Sequence, residues 1–151
     1  MKNMSKWRSY QLAYKHIGEA IGQGFYIEAL AREESIISDR LDSAVKGKGL
    51  ETSGKPILLG TLVKLVRKHP GEFQGLHDHL AKKGLTFDDV DAWREERNKF
   101  IHNIAHGLPQ QKTPVTAEEY TARGTAAAER GLKLARIVCA WSQSDLRAAE
   151  E

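Results

Sequence analysis

Apolar residues recur at steps of three and four along most of this chain, and strand signals are nearly absent. Such steps place side chains on one face of an α-helix, whereas a strand repeats every second residue. The pattern restricts the chain to an all-α fold, expected to be a compact helical bundle of about five to six helices. At 151 residues it is expected to form a single domain over 1–151 and to bury roughly two-thirds of its unfolded surface without a disulfide or structural metal.

The first helix is expected over about Lys6 to Ile21, with Leu12, Ile17 and Ile21 inward and Gly22 and Gly24 as the break. From Phe25 to about Val45, residues Ile27, Leu30, Ile37, Leu41 and Ala44 form a core-facing stripe that also includes Glu34. Lys46 to Lys55 is polar and glycine-rich and reads as a flexible loop. Pro56 suits the first turn of a helix to Lys68, with Ile57, Leu58, Leu62, Leu65 and Val66 inward. A shorter helix is expected over Phe73 to Lys83. Thr86 then caps a helix through His106, with Asp88, Asp89 and Asp91 at its positive end. After the loop GLPQQKTPV, Thr116 to Glu119 has capping-box form and opens a last helix reaching the Ala148 region.

A balance of 23 Lys+Arg against 20 Asp+Glu leaves a charge of +3, so any nucleic-acid site must be a local patch. Lys46, Lys48 and Lys55, or Lys64, Arg67 and Lys68, are such patches in outline, although solvated helix and loop charges account for them better. The single Cys139 lies in an apolar helical pattern with Leu134, Ile137, Val138 and Trp141, so no disulfide framework forms within the chain. With no apolar run of about 18 residues and no signal-peptide core in MKNMSKWRSY, the expected location is cytoplasmic, without membrane contact.

The segment RNKFIH, Arg97 to His102, carries the most informative side chains. On a helical wheel Val90, Trp93, Ile101 and Ile104 fall within roughly 40° of Arg97, so the guanidinium lies in the middle of an apolar stripe. A group that cannot lose its proton there needs an anion, a wet cleft or an interface, and Glu34 is the candidate partner. Asn98, His102 and His106 follow at about 100°, 140° and 180° as a polar flank.

Arg97-Asn98-Lys99-Phe100-Ile101-His102 resembles the R-x4–6-H motif, often with Asn after the Arg, of the HEPN superfamily. The resemblance rests on these six residues and on their place late in a penultimate long helix of an all-α chain. It implies a helical bundle that dimerises with two motifs facing one cleft, and a metal-independent endoribonuclease, in many members a toxin or abortive-infection effector. By position Arg97 and His102 would be the catalytic pair and Asn98 the polar helper, with RNA as substrate, no cofactor, a homodimer, and an antitoxin or regulatory protein as a further partner. The Tyr that nucleotidyltransferase-associated members often carry two residues after the His is replaced here by Ile104.

The residue chemistry fits such a reaction. A planar fixed cation binds non-bridging phosphate oxygens in two-pronged fashion, and an imidazole exchanges protons near neutrality. Three plainer readings stand beside it. Glu34 and Arg97 are an ion pair that fixes helix register; His102 and His106, at i and i+4, have the spacing of two metal ligands; or His106 merely caps the helix C-terminus. HNIAH lacks the internal Glu of a zincin helix, so no metal is expected. GKGLETSGK lacks P-loop spacing, which removes an ATPase. The alternative function is a catalytically inactive helical binding module built on the same bundle.

Overall fold

The computed structural model describes the backbone of residues 2–106 and 116–150 and the side chains of 5–102 and 116–146. Among these the fold is all-α: α1 (Lys2–Gly22), α2 (Tyr26–Gly47), α3 (Leu59–Lys68), α4 (Gln74–Ala81), α5 (Phe87–His106) and α6 (Ala117–Glu150), with a 3-10 turn, Pro70–Phe73, before α4. No described helix is long and apolar enough to cross a membrane.

The frame is a parallel pair, α2 and α6. Tyr26 lies against Gly124, Glu33 against Gly131, Arg40 donates to Ser142, and Lys48 pairs with Asp145. Small side chains on α6 make this approach possible: Gly124, Ala127, Ala128, Gly131 and Ala135 are all buried. A Cβ on Gly124 would lie 3.0 Å from Tyr26 Cβ and still closer to the ring. Around the seam Leu30, Ile37, Leu41, Leu134 and Val138 are fully buried, each worth about 1.5–3 kcal/mol.

On one side of this pair, α1 folds back along α2 after a turn at Gly24, whose φ of +80° favours glycine. Tyr10 donates to Asp39, which also accepts from Arg40 and pairs with Lys6 at 3.1 Å. On the other side α5 crosses from Trp93, whose indole N–H donates to the Ala127 carbonyl at 2.9 Å, to Phe100, which meets Tyr26 and Tyr120. The end of α5 therefore lies where α2 and α6 begin.

The expected stripes hold with three corrections. Leu12 and Ile27 are 54% and 39% exposed rather than inward, because each sits on the flank of its helix that no neighbour covers. Pro56 does not open a helix: α3 starts at Leu59, and Leu58 is its exposed N-cap. Asp42 accepts the Ile57 N–H at 3.3 Å, and Lys46 donates to the Lys55 carbonyl at 2.7 Å, which holds this stretch extended across the end of α2. Trp93 and Trp141, each in an apolar helical pattern, are core residues.

Candidate functional site

Local chemistry builds α5 at both ends of its first half. The Thr86 N–H donates to the Asp89 carboxylate at 2.7 Å while the Thr86 carbonyl accepts the Asp89 N–H, closing the cap in a different pairing from a hydroxyl N-cap. Arg67 of α3 then clamps Asp88 at 2.7 Å and Asp91 at 2.9 Å, and Arg94 takes the other oxygen of Asp91. These contacts fix the rotation of α5 about its axis and hence the direction of Arg97.

Arg97 sits in the seam between α5 and α2. Its Nη2 lies 2.7 Å from Glu34 Oε1, and the two side chains are only 15% and 29% exposed. Its Nε is buried with no hydrogen-bond partner among the described residues. Burial pulls the guanidinium pKa down, Glu34 pushes it back up, and the nearby Arg94 charge pulls down again. An arginine has so wide a margin that it stays protonated.

Asn98 and His102 are exposed on the flank of α5 turned away from α6, whose contacts come through Glu96 and Phe100. Within one chain Arg97 and His102 are separated by about 7.5 Å along the helix axis and about 140° around it. Arg97 lies at the floor of the α2–α5 seam and His102 on its solvent side. The side chain of His106 lies outside the described residues, and so does that of Ile104. Among described residues no group of three or more His, Cys, Asp or Glu is arranged to hold a metal ion. A shallow hollow lined by Thr121, Ala122, Thr125 and Glu129 on α6 contains none of the candidate residues.

Of the apolar stripe centred on Arg97, Val90 and Trp93 are fully buried within the chain and Ile101 is half-buried, while the neighbouring Phe100, 7% exposed, packs on Tyr26 of α2 and Tyr120 of α6. What the seam leaves exposed nearby is Ile27 on α2.

One buried carboxyl escaped the sequence reading. Glu33 is 0% exposed, neither of its oxygens has a hydrogen-bond partner among the described residues, and it fills the space where Gly131 lacks a Cβ, beside the Trp93 indole. Burial pushes its pKa from 4.5 up to about 9, so at neutral pH it is an uncharged acid. The available signal was its step of three from Leu30 and four to Ile37, both core residues. Arg40, 7% exposed on the same stripe, escaped in the same way.

No family model, no curated protein and no solved structure matches this chain.

Proposed function

We propose that this protein is a metal-independent endoribonuclease of the HEPN type, acting as a toxin or abortive-infection effector. The observation that carries the reading is the placement of Arg97: a permanent cation held half-buried by a displaceable carboxylate, with Asn98 and His102 exposed beside it on one helix. Glu34 occupies the place that a phosphodiester would take. Its partial exposure leaves it free to swing outward when a non-bridging phosphate oxygen takes its position on the guanidinium.

In the proposed reaction the ribose 2′-oxygen bonds to phosphorus and the bond from phosphorus to the 5′-oxygen breaks. One imidazole accepts the 2′-OH proton, a proton is delivered to the departing 5′-oxygen, and Arg97 neutralises the charge that builds on the phosphate. Because Arg97 and His102 diverge on their helix, two copies facing one cleft supply both imidazoles and bring each beside the other chain's cation. Sedimentation is expected to show a dimer at working concentration, and a strict monomer would remove the composite cleft.

The chemical test is RNA cleavage in EDTA followed by end mapping. Expected products carry a 2′,3′-cyclic phosphate and a 5′-OH, and His102→Ala, at an exposed position, is expected to lose about 100-fold or more while remaining folded. A strict Mg²⁺ requirement, 3′-OH ends, or full activity in His102→Ala would refute the mechanism.

The Arg97–Glu34 pair also favours a second reading, a helical binding module in which the pair is purely structural. In that case Arg97→Ala lowers stability, and neither wild type nor His102→Ala cuts RNA.

A further inference from the structure

The solvent side of α6 differs from an ordinary exposed helix face. Between Glu118 and Glu129 it carries Thr121, Ala122, Thr125 and Ala126, and these short side chains line the shallow hollow. Thr125 donates its hydroxyl to the Tyr26 oxygen at 3.0 Å, so it adds no free donor there. With no long side chain to shield the backbone, another helix has room to approach closely.

The helical wheel shows what shares this side. Gly131 faces Glu33 in the α2–α6 seam, and counted round the helix from it Ala122, Glu129, Lys133, Arg136 and Ala140 all fall between about 140° and 200°. They form one strip along the outside of α6, and all five are exposed. Arg130 is turned away to Glu96 of α5.

Charge along the strip is ordered. Its first half is acidic, with Glu118 and Glu129, and its second half is basic, with Lys133 and Arg136. Glu118, Glu129 and Lys133 have no hydrogen-bond or ion-pair partner among the described residues, while Arg136 lies 5.4 Å from the centre of the Tyr14 ring. A polyanion is a poor match, because Glu129 stands between the two cations. A lipid surface is no better, since the strip has no large apolar side chain. The same strip run in the opposite direction is a match at every charged position.

We propose that the outer strip of α6 is a docking surface for a second copy of this chain, lying antiparallel across a two-fold axis at the level of Gly131. In that register Glu129 of each copy faces Lys133 of the other, one turn from its Arg136. Ala122 faces Ala140, so the two helices come close where neither carries bulk. Each contact occurs twice, as a two-fold interface requires. The strip lies about 140° round α6 from Ala127, where Trp93 of α5 bonds, so it is separate from the α2–α5 seam and does not depend on cleavage there. One helix pair covers less surface than a permanent interface, so the association is expected to depend on concentration.

The test is a charge swap read by sedimentation of the full chain up to about 0.1 mM. Glu129→Lys and Lys133→Glu each set like charges against one another at both contacts, and each is expected to weaken the association about tenfold or more. An equimolar mixture of the two variants restores opposite charges and is expected to recover the wild-type mass. High salt is expected to weaken the wild type and relieve the repulsion in each variant. Lys82→Glu, exposed at the end of α4, makes the same change in net charge as Lys133→Glu and is expected to leave the mass unchanged. Circular dichroism and melting verify that the variants fold, all three positions being exposed. A wild type that is monomeric throughout, variants that keep the wild-type mass, a mixture no heavier than its components, or an equal loss in Lys82→Glu would each overturn the proposal. None of these results bears on the ends of cleaved RNA, which judge the seam separately.

Discussion

Stability is expected to fall steadily as pH rises from about 5 to 9, and Glu33→Gln is expected to abolish most of that fall. In the unfolded chain the Glu33 carboxyl ionises near its ordinary 4.5, whereas in the fold it holds its proton up to about 9. Between those values the native state binds one more proton than the unfolded state, so each pH unit upward costs ~1.4 kcal/mol. The loss accumulates to roughly 3 kcal/mol by pH 7, approaches about 6 by pH 9, and levels off beyond the folded value. Asp39 acts in a separate window: although burial opposes it, Tyr10, Lys6 and Arg40 hold its pKa low, so its contribution disappears only in acid. Urea midpoints of both proteins at pH 5, 7 and 9 check this. Curves for wild type and Glu33→Gln that stay parallel across the series would mean that Glu33 reaches water.

Gly131→Ala is expected to destabilise the protein by about 1–3 kcal/mol, although alanine is the better helix former by about 1 kcal/mol. The added methyl would lie 2.7 Å from Trp93 Nε1 and 2.8 Å from Glu33 Cδ. Trp93 is held by its bond to the Ala127 carbonyl and Glu33 is fully buried, so the methyl is expected to widen the seam between α2 and α6. Gly124→Ala should behave alike, because it meets the root of the Tyr26 ring, which cannot swing aside. Gly18 in α1 is the control: nothing lies within 4 Å of its added methyl, and Gly18→Ala should stabilise by up to about 1 kcal/mol. Thermal or urea unfolding of the three variants measures the contrast. Partial rescue of Gly131→Ala by Glu33→Ala would localise the clash, and a Gly131→Ala protein as stable as wild type would mean that the seam is loose.

Periodicity made the six helices legible, and it placed Arg97 on an apolar stripe with Glu34 as its partner because an unneutralised cation there is conspicuous in a wheel. It could not place Glu33. An acid that loses its charge on burial leaves no mark in the sequence beyond sharing the spacing of its apolar neighbours, and its cavity comes from a glycine far along the chain. The start of α3 failed for a related reason: Asp42 and Lys46, contacts from another helix, override the local preference of Pro56. Nor does a stripe say whose surface covers it. The stripe around Val90 and Trp93 is covered from within the chain, where both side chains are fully buried and the Trp93 indole bonds to α6.

The parallel pairing of α2 with α6 has a consequence for how the chain acquires its shape. Tyr26 meets Gly124 and Glu33 meets Gly131, partners roughly a hundred residues apart, so the central seam closes only by a long-range encounter with high loop-closure entropy. During synthesis the first five helices emerge before their principal partner, with Trp93 and the Glu33 side chain still wetted. The native bundle is therefore completed late, when the sixth helix leaves the ribosome, and chains interrupted before that point lack the surface on which the others assemble.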